Sequence, residues 1–204
     1  EGFRSGGVNF QFNLTQSDQF FGSDELWNYE IGVKSTLNDG RVTLNASVFY
    51  IDWSDIQGSF QAPSLITPGA TIGIVNNGGD GEIRGLEFEL ASQVSDNLMV
   101  GFAGTYQDSE LTDAEFDSIE GEDLPNAPEF SFAAYMEYAW SFRLGEAYFR
   151  VDHQQTDDQL VRLVSTSSNG LPVDGYSVTN LRLGYDNPAW GAEFYVENLA
   201  DERG

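Results

Sequence analysis

Apolar and polar residues alternate with a period of two along most of this chain. Trp27, Tyr29, Ile31 and Val33 are interleaved with Asn28, Glu30, Gly32 and Lys34. After Asn38-Asp39-Gly40 the pattern resumes, with Val42, Leu44, Ala46, Val48 and Tyr50 on one side. Arg41, Thr43, Asn45 and Ser47 take the other side. An Asp-Gly between two alternating runs predicts a β-hairpin. The unit recurs. Leu86, Phe88 and Leu90 oppose Glu87, Glu89 and Ala91, and Ser95-Asp96-Asn97 leads into Leu98, Val100, Phe102, Gly104 and Tyr106. Phe130, Phe132, Ala134, Met136, Tyr138 and Trp140 form another face. A turn at Arg143-Leu144-Gly145 leads to Phe149 and Val151, and a last pair runs from Val178 to Tyr185 and back through Phe194 and Val196. The pattern predicts about eight strands, a ninth near Val8 to Leu14, and no helix.

Connection lengths set the architecture. Tight turns near 38–40, 95–97, 142–145 and 187–189 alternate with long connections near 15–25, 54–81, 110–127 and 157–174. In an up-and-down antiparallel sheet this puts all tight turns at one end and all long loops at the other. Outer-membrane barrels have that asymmetry, with short periplasmic turns and long extracellular loops. A strand of about 13 residues spans ~43 Å, or ~30 Å along the normal at a ~45° tilt. That suits a membrane better than a soluble sandwich, whose strands have about 5–6 residues. Trp27 and Trp53 fall at long-loop strand ends, and Trp140 and Trp190 at tight-turn ends. All four are therefore expected in interfacial girdles.

Composition changes the picture in few places. The chain carries 9 Lys+Arg against 33 Asp+Glu, a formal charge of −24, which argues against a nucleic-acid partner. Aromatic residues at 14% exclude a disordered acidic tail. Cysteine is absent, so the backbone ladder and packing must hold the fold. No apolar run approaches the ~20 residues of a membrane helix, but barrel strands never form such a run. Acid crowds the connection holding Asp108, Glu110, Asp113, Glu115, Asp117, Glu120, Glu122 and Asp123, whereas Lys34, Arg41 and Arg143 lie near tight turns.

Candidate chemistry is sparse. The single histidine, His153, lies on a strand and is read as a barrel-wall residue, so neither a Ser/His/Asp triad nor a multi-His zinc site has support. Gly6-Gly7 and Gly78-Gly79 lack the strand–GxGxxG–helix context of a phosphate loop. No catalytic, cofactor-binding or metal residues are assigned, no cofactor is expected, and the chain is not expected to be an enzyme. Glu87 and Glu89 should face the lumen, because Leu86, Phe88 and Leu90 must meet outer-membrane lipid. The acidic stretch 108–123 invites Ca²⁺ but lacks EF-hand spacing, so a solvated loop is the favoured reading.

Four stretches, taken in order, closely resemble TonB-dependent receptors: LWNYEIGVKSTLNDGRVTLNASVFYIDWSDIQ from Leu26 to Gln57, NNGGDGEIRGLEFEL from Asn76 to Leu90, LPNAPEF from Leu124 to Phe130, and YSVTNLRLGYDNPAWGAEFYVENLADERG from Tyr176 to Gly204. The last includes the Glu197-Asn198-Leu199-x-Asp201 run. The resemblance implies an all-β, antiparallel up-and-down transmembrane β-barrel in the bacterial outer membrane. It further implies a barrel of ~22 strands enclosing a plug, of which residues 1–204 would be one partial domain. Plug, TonB box and closing strand are not found, so the chain is expected to be incomplete. The implied function is active import of a scarce nutrient such as a ferric siderophore, haem, cobalamin or a carbohydrate. A small-molecule or metal-chelate ligand would bind the extracellular loops, and the TonB system would act through the missing plug. A passive porin and a soluble acidic β-domain are the alternatives.

Overall fold

The structure is a computed structural model that describes residues 1–116, 118–166 and 169–202. Nine strands form one antiparallel sheet in chain order. They are β1 (Gly2–Arg4), β2 (Asp24–Leu37), β3 (Val42–Ser54), β4 (Gly79–Gln93) and β5 (Leu98–Ala114), followed by β6 (Phe130–Phe142), β7 (Gly145–Thr156), β8 (Tyr176–Asp186) and β9 (Gly191–Val196). Each pairs with its neighbours in sequence, so the topology is the expected up-and-down meander. The sheet does not close on itself, since β1 and β9 do not pair. The only helical piece among the described residues is a 3-10 turn at Ser17–Gln19.

The ninth strand differs from expectation. It forms at Gly2–Arg4 against Asp24–Leu26, not at Val8 to Leu14. Gly7–Val8 instead pairs with Phe20–Phe21 outside the main sheet. The Asn side chain in this stretch takes over the role of backbone pairing. Asn9 Nδ2 donates to Val75 O at 2.8 Å, and Val75 N–H donates to Asn9 Oδ1 at 3.0 Å.

The tight turns form as the sequence implies. Asn38 and Asp39 both take positive φ, 52° and 53°, and Gly40 follows at 89°. Consecutive left-handed residues twist a hairpin in the sense of its flanking strands. Asn187 Oδ1 accepts from Ala189 N–H at 2.9 Å and Trp190 N–H at 3.2 Å, which closes the β8–β9 turn.

Register fixes the two faces of the sheet. Ile31, Val48, Leu86, Tyr106 and Phe130 lie in one cross-strand row. Phe88 pairs with Gly104, which pairs with Phe132, in the next. This is the outer face, where Ile31, Val48, Leu86, Leu183 and Phe194 stay exposed. Such an apolar surface is costly in water and suited to lipid. Trp27 stacks on Tyr29, and Tyr29 on Tyr50, at its upper edge. Trp140 stacks on Tyr138, and Trp190 packs on Tyr185, at the lower edge.

Trp53 departs from the girdle expectation. Its register partners Leu26 and Gly81 belong to the inner face, and it packs against buried core. Its indole N–H donates to Asp24 Oδ2 at 3.2 Å. A strand-end position does not specify a face, and Trp53 is one residue out of phase with Asp52, which points outward.

The buried core lies at the long-loop end, not within the barrel wall. Leu14, Ile56, Phe60, Ala62, Ile74, Leu124 and Leu163 come from the four long connections, and Ile83 and Leu111 from the tops of β4 and β5. Backbone bonds knit the connections together: Leu65 N–H donates to Asn13 O, Glu115 N–H to Gly78 O, Ile119 N–H to Val164 O and Asn126 N–H to Leu160 O. The connection from 54 to 81 is itself a hairpin, Gln57–Pro63 against Thr71–Asn77. The described residues of 5–23, 55–78, 115–129 and 157–175 thus form one cap leaning over the inner face.

The stretch expected as an acidic loop is partly strand. β5 continues to Ala114, so Asp108, Glu110 and Asp113 are ladder residues paired with Arg84, Glu82 and Asp80. Asp117 lies outside the described residues. Among the described residues no three carboxylates or histidines converge as a metal site would require.

Asp24 ties β1, from which the first cap segment continues, to β2. It is 2% exposed at the tip of β2, beyond the Trp27–Tyr29 edge, and its carboxylate accepts from Arg4 Nε at 2.7 Å, from Arg4 Nη2 and from the Arg4 backbone N–H at 2.9 Å. Burial pushes the carboxyl up, but the Arg4 bonds outweigh it and hold it below the ordinary value. A depressed folded value means the bond contributes fully above the ordinary carboxylate range and is lost as pH falls through the folded value. The cap should therefore keep constant stability from neutrality down to about pH 4 and loosen below it. Asp24→Asn should cost about 1–3 kcal/mol at neutral pH and flatten that acid limb. Hydrogen exchange of residues 1–23 against pH measures both.

Candidate functional site

The inner face is polar and carries the chain's organised charge. On β7, Tyr148, Arg150, Asp152 and Gln154 alternate with the outward Phe149, Val151 and His153. Arg150 is the hub. Its Nη2 lies 2.7 Å from Asp152 Oδ1, its Nη1 lies 3.3 Å from Glu137 Oε2, and its guanidinium sits 4.5 Å from the centre of the Tyr135 ring. Tyr135 lies flat over Gly101, its direct cross-strand partner, where any Cβ would collide with the ring. Tyr148 covers Gly184 in the same way and bonds Glu193. Glycine leaves a gap in the wall, and the neighbouring aromatic fills it. Gly101→Val should force Tyr135 off the wall, uncouple it from Arg150 and cost about 1–3 kcal/mol. A denaturant titration in lipid vesicles, with Tyr135→Phe as the mild control, measures that loss.

These residues line a concavity of 670 Å³ that includes Glu89, Tyr135, Arg150, Asp152, Arg182 and Glu193. A second, of 550 Å³, is lined by Glu30, Lys34, Asn45, Glu87 and Glu89. Glu87 and Glu89 therefore face inward, as read from the sequence, and Asn45 Nδ2 donates to Glu89 Oε2 at 2.7 Å. A further concavity, of 340 Å³, lies among Arg4, Trp53, Gln57, Asn126 and Arg162. The arrangement is one for recognition by charge and hydrogen bonding.

His153 sits in the wall on the outer face. Its Nδ1 is 2.9 Å from Thr179 Oγ1 and its ring 5.6 Å from Phe132. Sequence reasoning missed the Arg150 hub. Its signal was the complement of the visible apolar run: Tyr148, Arg150 and Asp152 occupy the alternate positions to Phe149 and Val151.

The family model for the TonB dependent receptor-like β-barrel matches residues 1–199. The chain belongs to the TonB-dependent receptor β-barrel family. Its fold is similar to that of the ferric yersiniabactin uptake receptor FyuA from Yersinia pestis, with a TM-score of 0.75 at 22% identity over 98% of this chain and 29% of that one. The siderophore receptor PiuA from Acinetobacter baumannii is similar at a TM-score of 0.69 and 20% identity, over 93% of this chain and 26% of that one. The ferric-catecholate import receptor Fiu from E. coli K12 is similar at 0.66 and 20% identity, over 98% and 26%. The chain thus spans less than a third of the length of each solved receptor. The family is one of transport receptors, and this TonB-dependent receptor barrel is an outer-membrane structure. Its apolar outer face and polar inner face suit that setting.

Proposed function

We propose that this chain is one partial barrel domain, part of the wall and mouth of a receptor that actively imports a ferric siderophore. Lipid covers Ile31, Val48 and Leu86 outside. A plug domain sits against the inner face around Arg150, Glu87 and Glu89, and the TonB complex acts on that plug to drive release inward. The carrying observation is the cap: four long connections share one buried core and lean over the inner face, built on Leu14, Phe60, Leu124 and Leu163. A mouth narrowed by a folded structure selects a ligand, whereas a passive pore needs an open path. The solved relatives named for ferric yersiniabactin and ferric catecholates support the choice of cargo among the family's nutrients.

The test is growth and iron uptake. A strain deleted for the intact receptor should grow poorly under iron limitation and lose uptake of labelled ferric siderophore. Disrupting TonB should abolish the same uptake. Uptake that persists without TonB would overturn active transport in favour of a passive barrel.

A further inference from the structure

We propose that the outer wall around Ala46 holds one outer-leaflet lipid whose headgroup carries a primary ammonium. Its acyl chain lies in a groove across β2, β3 and β4, and its ammonium reaches the carboxylates beside the aromatic edge. This rests on the reading that lipid covers the outer face, and narrows that lipid from a bulk solvent to a selected partner.

The groove measures 390 Å³ and is lined by the outward side chains of Ile31, Val33, Ala46, Val48, Leu86 and Phe88. Register creates it. Val33, Ala46 and Phe88 form one cross-strand row, and Ala46 is the small residue between two larger ones. The Phe88 ring packs against Phe102, with centroids 6.1 Å apart, and so leans toward β5 and away from Ala46. Within hydrocarbon the hydrophobic effect gives one apolar contact no advantage over another, so van der Waals fit decides. A chain lying in the groove makes dispersion contacts that a flat wall lacks. A rise of ~3.3 Å per residue puts Ala46 ~13 Å below Tyr50 along β3. A long acyl chain covers that span and a short one does not.

The rim above the groove presents acceptors in place of donors. Trp27 Nε1–H donates to Glu25 Oε1 at 2.6 Å, and Tyr50 O–H donates to Glu82 Oε2 at 2.7 Å. Interfacial aromatics ordinarily turn these groups to the wet headgroup layer; here the protein's own carboxylates take both. Asp52, Glu82 and Glu110 are direct neighbours in one cross-strand row, and like charges placed opposite one another repel. The next row supplies one cation, Arg84, which lies 2.8 Å from Glu82 and 3.3 Å from Asp108. Four carboxylates against one arginine leave these two rows anionic. An ammonium offers three donors to such acceptors. The rings of Trp27, Tyr29 and Tyr50, stacked with centroids 6.5 Å apart, attract it further. A headgroup that brings phosphate alone is repelled by the same rim. Val48 and Leu86 line the groove directly below Tyr50 and Arg84, so one molecule engages both parts.

The probes are dimyristoylphosphatidylethanolamine, which carries the ammonium, dimyristoylphosphatidylglycerol, which has the same chains without it, and unmodified lipid A, whose phosphates are anionic. Lipid retained by the intact receptor in detergent is counted by native mass spectrometry. Wild type should hold one ethanolamine lipid about tenfold more tightly than the glycerol lipid. Ala46→Phe, which fills the groove with an apolar ring, should lose that retention, and wild type should bind dihexanoylphosphatidylethanolamine weakly. Asp52→Asn should bring the two headgroups toward parity while binding of the glycerol lipid holds or rises. Asp52 is changed first because Glu82 also holds Tyr50 and Arg84. Migration of unheated protein on a denaturing gel confirms a folded barrel for each variant. Equal retention of both headgroups by wild type, preference for lipid A, or an unchanged preference in both Asp52→Asn and Glu82→Gln overturns the headgroup assignment. Unchanged retention in Ala46→Phe overturns the groove. A receptor that needs detergent yet keeps none of the probes overturns the proposal alone. One that stays dispersed without detergent overturns the lipid reading of the outer face with it.

Discussion

Leu163→Ala is expected to loosen the whole cap, costing about 2–5 kcal/mol of its local stability while leaving the barrel wall intact. Leu163 lies on the fourth long connection and is 2% exposed. Its Cδ1 meets Gly58 and Gly78, on the second connection, together with the Phe60 ring. A Cβ added at Gly78 would lie 2.6 Å from Leu163 Cδ1 and 2.8 Å from Phe60 Cζ, so the glycine is what admits the side chain. Truncation leaves a void bounded by Phe60, Ile56 and two glycines, and two-residue pairings such as Gln159–Leu160 with Pro172–Val173 cannot draw in to fill it. The four connections share backbone bonds and one core, so the loss should spread. Hydrogen exchange is expected to accelerate in 5–23, 55–78 and 115–129 as well as in 157–175. Acceleration confined to 157–175 would mean that the connections are independent loops. The strands β6 to β8 should keep wild-type protection.

The wall was legible in the sequence, and the cap was not. Alternation exposes a strand because the period of two is local: Val42 to Tyr50 can be read with no knowledge of what they touch. The turns at Asn38-Asp39-Gly40 and Asn187-Pro188 were equally local. The cap core has no such period. Leu14 and Leu124 are isolated apolar residues in polar connections, Leu163 lies in the short run Leu160-Val161-Arg162-Leu163-Val164, and their meeting depends on the strands between them. The same reason explains the errors. Val8 to Leu14 looks like a strand by composition, but Asn9 and Gln11 spend their side chains on Val75 and Gly73. Trp53 looks like a girdle residue by position, but a strand end has two faces, and the buried Asp24 that receives its N–H is a distant partner. Among candidate site residues, Glu87 and Glu89 were readable from the apolar phase of Leu86-Phe88-Leu90. Arg150 was not, because it gains its meaning from Glu137 and Tyr135 on the neighbouring strand.

Val48→Arg is expected to cost about 2–4 kcal/mol in a bilayer, and Asn45→Arg much less. Val48 lies near the middle of β3, 54% exposed, in the row Ile31–Val48–Leu86. Ala46 and Tyr50 flank Val48 on that face of β3, and the Glu82 and Asp108 carboxylates beyond them are already held by Arg84. An arginine there must be buried in hydrocarbon or bend toward the headgroups, and mid-strand is where the second escape is longest. Asn45 lies three residues away on the inner face, bonded to Glu89 and flanked by Lys34 across the pair. Arginine at that position loses one amide bond but gains Glu89 and Glu87 as partners in water. The pair of variants isolates facing from strand propensity, since both place the same side chain on the same strand. Folding titrations into lipid vesicles measure the two costs directly. Equal penalties would mean the outer row is not a lipid surface. A penalty for Val48→Arg that vanishes in a mild detergent but returns in a bilayer would place Val48 at mid-membrane depth, and with it the whole register from Ile31 to Phe130.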